Sequence, residues 1–185
     1  MSFKSTLSRH QDMVEGLYAL ESQVTTLIET VRDALSSGNK VLFFGNGGSA
    51  SDAQHLAAEF VVRYFKQRAP LAAIALTTDT SILTAHGNDY SFDTLFDRQV
   101  QALAKPGDIA IGLSTSGNSG NVINGLKMAQ QSGCISIAFT GAHGGQLLDI
   151  ADQCICIPSE ETARVQEGHI IIGHWLCEAL DEQHG

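Results

Sequence analysis

The sequence predicts an α/β fold, a doubly wound five-stranded parallel sheet of flavodoxin-like or Rossmann-like type behind an N-terminal helical extension. Three observations predict it. Apolar runs at 41–44, 72–76, 109–113, 135–139 and 154–157 are continuous rather than alternating, as in strands buried on both faces. Helical stretches around 50–65, 92–104 and 119–132 separate strands, and another at 160–182 closes the chain. That alternation calls for parallel strands with helices over both faces. Third, the runs at 41–44 and 109–113 pass directly into Gly/Ser-rich loops that open helices.

Taken in order, residues 1–37 read as helix. Leu17, Leu20, Val24, Leu27, Ile28, Val31 and Leu35 recur at three- and four-residue steps, and Ser36-Ser37-Gly38-Asn39 ends the pattern. Because this helix precedes the compact α/β part, its stripe is expected to pack on another subunit. Lys105-Pro106-Gly107-Asp108 marks the turn into the third strand. No repeat or linker interrupts residues 1–185, which read as one domain. Cys134, Cys154, Cys156 and Cys177 form no CxxC pair and read as reduced core residues. No apolar run approaches the roughly 20 residues that span a bilayer. The opening MSFKSTLSRHQDM lacks the apolar core of a signal peptide. A cytoplasmic setting is the expectation.

The net charge is −9, from 11 Lys+Arg and 20 Asp+Glu, against the clustered positive charge that nucleic-acid binding requires. An anionic ligand would therefore meet backbone N–H groups and hydroxyls more than Lys or Arg. The two loops have that composition. Gly45-Asn46-Gly47-Gly48-Ser49-Ala50-Ser51 follows the first strand and Ser114-Thr115-Ser116-Gly117-Asn118-Ser119 the third. In such sheets ligands gather at the carboxyl ends of strands. Gly and Ser are also ordinary turn and cap residues, but two such loops at equivalent strand ends favour a phosphate-binding site. Neither carries G-x-G-x-x-G or GK[ST], which argues against a nicotinamide enzyme and an ATPase.

His55 and Glu59 lie four apart after the first loop and share a helix face. Alone they read sooner as a surface pair than as a site; their place one or two turns beyond the first loop is what points to a site. Gln166, Ile170 and His174 make a second stripe on the closing helix, with His169 apart from it. Gln166 and His174 are about 12 Å apart along a straight helix. They reach one ion only if it lies between them, and otherwise belong to sites on different subunits. Glu59 as base and His174 as proton donor suit a carbonyl shift between C2 and C1 of a sugar phosphate.

Phe44-Gly45-Asn46-Gly47-Gly48-Ser49, His55-x-x-x-Glu59, Gly87-Asn88-Asp89, Ser114-Thr115-Ser116-Gly117-Asn118-Ser119 and Arg164-Val165-Gln166-Glu167-x-His169 together resemble the SIS (sugar isomerase) domain family. More narrowly they resemble the bacterial phosphoheptose isomerases, from about residue 10 to the end. The resemblance implies conversion of sedoheptulose 7-phosphate to D-glycero-D-manno-heptose 7-phosphate, for lipopolysaccharide or other surface glycans. It implies a homotetramer with N-terminal helices packed between subunits and active sites at the interfaces. Asn46, Gly47, Gly48, Ser49, Asn88, Asp89, Ser114, Thr115, Ser116 and Ser119 are implied to line the substrate, with Glu59 and Gln166. Glu59 and His174 are implied as the acid/base pair, and His55, Glu59, Gln166 and His174 as ligands of one zinc ion. A carboxylate tied to zinc is a weaker base, so the two roles of Glu59 are alternatives. Ala163 and His86 depart from the common pattern, His86 reading as a loop residue, and the role of Arg63 stays open. Two rivals share the loops: a non-catalytic tetrameric adaptor that binds the replication initiator protein, and a sugar-phosphate sensor fused to a DNA-binding domain. The first lacks the carboxylate and histidine found here at 59 and 174. The second needs a domain for which 185 residues leave no room.

Overall fold

The computed structural model describes residues 2–184, with side chains through Glu182. Strands Val41–Gly45 (β1), Ala73–Ala75 (β2), Ile109–Leu113 (β3), Ile135–Thr140 (β4) and Gln153–Cys156 (β5) form one parallel sheet ordered β2-β1-β3-β4-β5. The helices are Phe3–Leu17 (α1), Glu21–Ser36 (α2), Gly48–Val61 (α3), Thr80–Asp89 (α4), Leu95–Leu103 (α5), Gly120–Gln131 (α6), Leu147–Ile150 (α7) and Thr162–His184 (α8). Successive side chains on a strand point to opposite faces. Val41 and Phe43 of β1 accordingly join the core under α2, α3 and α8, whereas Leu42 and Phe44 join the core under α5 and α6. Strand order reverses direction between β1 and β3, which are paired from Val41↔Ile109 to Gly45↔Leu113 and so end level. The crevice beyond these two ends is the place where such sheets bind ligands.

The expected single helix over 1–37 is two helices, with a 3-10 turn at Tyr18–Leu20 between them. The turn lets each helix follow a different part of α8. Arg9 and His10 of α1 pair with Glu161 and Glu167 at 2.8 and 2.7 Å, while Val24, Leu27, Ile28 and Val31 of α2 are buried in the core. The stripe expected to meet another subunit thus fills the chain's own core. Helix α4 has no counterpart in the sequence reading, because it buries a single residue, His86. It starts where the Asp79 side chain accepts from the Ile82 N–H at 3.0 Å. His86 is therefore helical and buried, not a loop residue; it stacks on Tyr90 and its Nε2 lies 2.9 Å from Thr94 Oγ1.

Helices α3 and α8 lie side by side and run in the same direction, since Gly48 meets Gln166 near their starts and His55 and Leu56 meet His174 and Gly173 further along. A Cβ on Gly173 would come within 2.5 Å of the Leu56 side chain, so glycine there sets how closely the helices approach. Beyond the end of α3 a buried ion pair locks the arrangement. Asp181 of α8 accepts from the backbone N–H groups of Phe65 and Lys66 at 2.6 and 2.7 Å and from Arg68 Nε at 2.6 Å. Arg68 also donates to the carbonyls of Glu59 and Phe60, each at 2.8 Å. These are carbonyls of the last turn of α3, which have no partner within the helix. Burial pushes the Asp181 carboxyl up, but the hydrogen bonds from Lys66, Phe65 and Arg68 outweigh it and hold the group below its ordinary 3.8.

Removing one partner of a buried ion pair strands the other, so Asp181→Ala is expected to lower the unfolding free energy by about 3–5 kcal/mol. A lowered carboxylate pKa stabilises the fold above the unfolded-state value and ceases to do so as pH falls through the folded-state value. The stability gap between wild type and Asp181→Asn should therefore be full at pH 6 and close below the ordinary value of 3.8. Urea denaturation across pH measures both, and a variant with the wild-type midpoint at pH 6 refutes the clasp.

Candidate active site

The two Gly/Ser loops lie where the strand order predicts. The first leaves β1 and enters α3 with Gly47 as the cap residue, and the second leaves β3 and enters α6 with Ser119 as the cap residue. Neither cap residue makes a side-chain hydrogen bond to its helix, so each N-terminus faces the crevice with its backbone N–H groups and partial positive charge. In the second loop Ser114 Oγ and Ser119 Oγ lie 2.9 Å apart, and Ser116 Oγ accepts from the Asn118 N–H at 3.1 Å. Thr115 is half-buried beside the exposed Ser116, while Ser114 is buried. Ser49 is buried in the first turn of α3, below Asn46, Gly47 and Gly48. No Lys or Arg belongs to either loop, so what these two loops offer an anion is amide and hydroxyl groups.

Along α3, past the first loop, a second group of side chains gathers. His55 Nε2 lies 2.9 Å from His174 Nε2 and 3.6 Å from Glu59 Oε1. The Tyr64 ring lies 5.5 Å from the His174 ring. Burial, and after it the neighbouring His55, lower the pKa of His174 against an opposing effect of Glu59. One turn before His55, Asp52 carries a buried oxygen without a hydrogen-bond partner, and burial raises its pKa against the influence of His55.

Of the four residues implied as metal ligands, three converge and one stands apart. Gln166 lies against Gly48, where a Cβ would come within 2.4 Å of its Nε2. It therefore sits at the first loop, about two helical turns from His174. Two imidazoles and a carboxylate are a donor set that suits zinc in kind. Among the described residues, no three His, Cys, Asp or Glu side chains are spaced as a metal-holding group. Asn88 and Asp89 end α4 and are exposed, and Asn88 Nδ2 donates to Asp89 Oδ1 at 2.8 Å. Among the described residues, no side-chain hydrogen bond joins them to either loop or to the histidines. Arg63 is exposed and donates to the Phe65 carbonyl at 3.3 Å.

Several residues that shape this site escaped the sequence reading. Asn121 pairs with Asn46 at 2.8 and 2.9 Å through both amides, and Arg68 with Asp181 holds the end of α3 that carries Glu59. Each pair joins residues far apart in the chain, for which one sequence has no local signal. Tyr64 and Asp52 had one, since they flank the His55–Glu59 pair within five residues.

Comparison with known proteins agrees with this geometry. A model of the SIS domain matches residues 7–141. The phosphoheptose isomerase of Aquifex aeolicus (strain VF5) is 60% identical over 166 residues, which cover 90% of this chain and 86% of that protein. A probable phosphoheptose isomerase of Thermoplasma acidophilum is 53% identical, over 87% of this chain and 88% of its own. The solved structure of phosphoheptose isomerase GmhA from Neisseria gonorrhoeae superposes with a TM-score of 0.92 at 40% identity, covering 97% of this chain and 96% of that one. With its site at the β1/β3 crevice and these similarities over most of its length, the chain belongs to the SIS domain family and, within it, to the phosphoheptose isomerases.

Proposed function

We propose that the chain isomerises D-sedoheptulose 7-phosphate to D-glycero-D-manno-heptose 7-phosphate, in the cytoplasm, toward a heptose-containing glycan such as lipopolysaccharide. The observation that carries this reading is the convergence of Glu59, His55 and His174 on the two helices that also bring Gln166 to the first loop. The names of the relatives supply the substrate. The phosphate meets the N-termini of α3 and α6 and the hydroxyls of Ser114, Thr115, Ser116 and Ser119. Glu59 removes a proton from C1 of the ketose and returns it to C2, and His174 shuttles the proton between the two oxygens. Charge accumulates on those oxygens in the enediolate. In this reading Gln166 meets the substrate at the first loop, and His55, Glu59 and His174 would hold a zinc ion that would supply Lewis-acid polarisation of the carbonyl when bound. In that state Glu59 is a weaker base, so its ligand and base roles are alternatives.

The working assembly in this reading is a homotetramer. Val61, Val62, Phe65 and Trp175 are exposed beside the cluster, and Asn88 and Asp89 point outward, free to complete another subunit's site. The adaptor reading is not favoured, because both Glu59 and His174 are present and adjacent to His55.

Purified protein given sedoheptulose 7-phosphate is expected to form the aldose phosphate, with kcat reduced at least about 10²-fold in Glu59→Gln. A wild type without turnover, or a variant with full turnover, defeats the mechanism. Protein purified without chelator is expected to carry close to one zinc per subunit, read by mass spectrometry, and His55→Ala to lose it. Equal metal in the two proteins removes His55 from the ligand set.

A further inference from the structure

The two loops that face the crevice come from strands on either side of the switch point, and their helices lie on opposite faces of the sheet. Among the described residues, one pair of side chains joins them by hydrogen bonds. Asn46, directly after β1, donates through Nδ2 to Asn121 Oδ1 at 2.8 Å, and Asn121, the second residue of α6, donates through Nδ2 to Asn46 Oδ1 at 2.9 Å. The two amides close a ring in which each gives and each accepts. Asn121 is buried and Asn46 is half-buried, so the ring borders the crevice without being open to it. A primary amide has two N–H donors and two acceptor lone pairs. The ring uses one of each on Asn46 and leaves the other N–H and lone pair for a ligand.

We infer that Asn121 is a positioning residue, which fixes the separation of the two phosphate-holding loops and the orientation of the Asn46 amide. The inference rests on the functional reading above for its catalytic consequence, but the clasp itself does not. Reciprocal pairing also couples the two amides, because turning one of them over alone would set N–H against N–H and oxygen against oxygen. Asn46 is then a ligand-binding residue whose aim depends on a neighbour 75 positions away. The chemistry is elsewhere, on α3 and α8, so loss of the clasp weakens substrate binding more than it slows the proton transfers.

Two measurements test this. Hydrogen–deuterium exchange of peptides spanning 45–51 and 114–119 reads the clasp with no need of activity. Faster exchange is expected in both peptides for Asn121→Ala, and unchanged exchange overturns the clasp. Steady-state kinetics read its role. Asn121→Ala should raise KM about tenfold, the size of a pair of lost buried hydrogen bonds, with kcat within about twofold of wild type. Asn121→Asp keeps the shape, cannot donate, and places negative charge between the two loops, so it should raise KM further. In Asn46→Ala/Asn121→Ala the effect on KM should fall well short of the product of the single effects. A KM unchanged in Asn121→Ala, a fall in kcat at constant KM, or multiplicative single effects overturns the positioning role. A wild type that folds, shows the protected loops and does not turn over sedoheptulose 7-phosphate defeats the functional reading and leaves the clasp standing.

Discussion

The buried pair of Arg68 and Asp181 is the constraint on which the rest of the site depends. It lies past the end of α3, yet it fixes that end. Arg68 donates to the carbonyls of Glu59 and Phe60, and Asp181 ties Arg68 and the backbone of Phe65 and Lys66 to α8. A buried ion pair contributes little net stability compared with apolar packing, because desolvating both charges offsets their attraction. What it contributes here is registry. With Gly173 admitting Leu56 at close range and the clasp fixing the far end, α3 and α8 cannot slide without breaking several hydrogen bonds. Registry is what places His55 opposite His174.

The same parallel pair of helices separates two tasks along its length. Its N-terminal end, with Gly48 and Gln166, borders the crevice to which the proposed function assigns the phosphate. Its middle, with His55, Glu59 and His174, carries the groups that can move protons. Two turns of helix span about 11 Å, which suits a substrate whose phosphate is at one end of a sugar chain and whose carbonyl is at the other. Holding the anion with helix termini and hydroxyls also leaves an acidic protein free of a cationic cluster, whose charge would have pulled down the pKa of a nearby base.

Much of this was legible in the sequence. All five strands follow from continuous apolar runs, and the two loops from the runs that pass into Gly45 and Ser114, a pattern set by local chemistry and by burial on both faces of the sheet. The pairing of His55 with Glu59 follows from helical spacing. What was not legible has a common physical cause. Helix α4 buries only His86, so hydrophobic periodicity had nothing to report. The break at Tyr18–Leu20 answers to the path of α8, more than a hundred residues on. The stripe on α2 is as regular as one that meets a partner, and periodicity does not say what covers it.

The assignment of Gln166 shows how far spacing can be pushed. On the sequence, Gln166 and His174 share a stripe, and the resemblance to the phosphoheptose isomerases implied that both hold one ion. In the structure the stripe is real but its two ends face different partners, the loop at Gly48 and the imidazole of His55. Residues on one helix face are neighbours only within a turn or so; beyond that, the opposing element decides what each one touches. The opposing element here is α3, running parallel, so Gln166 early in α8 meets the start of α3 and His174 further on meets its middle. The first Gly/Ser loop and the histidine pair are brought to the same helix pair by that parallel alignment, and the ends of the α8 stripe divide between them.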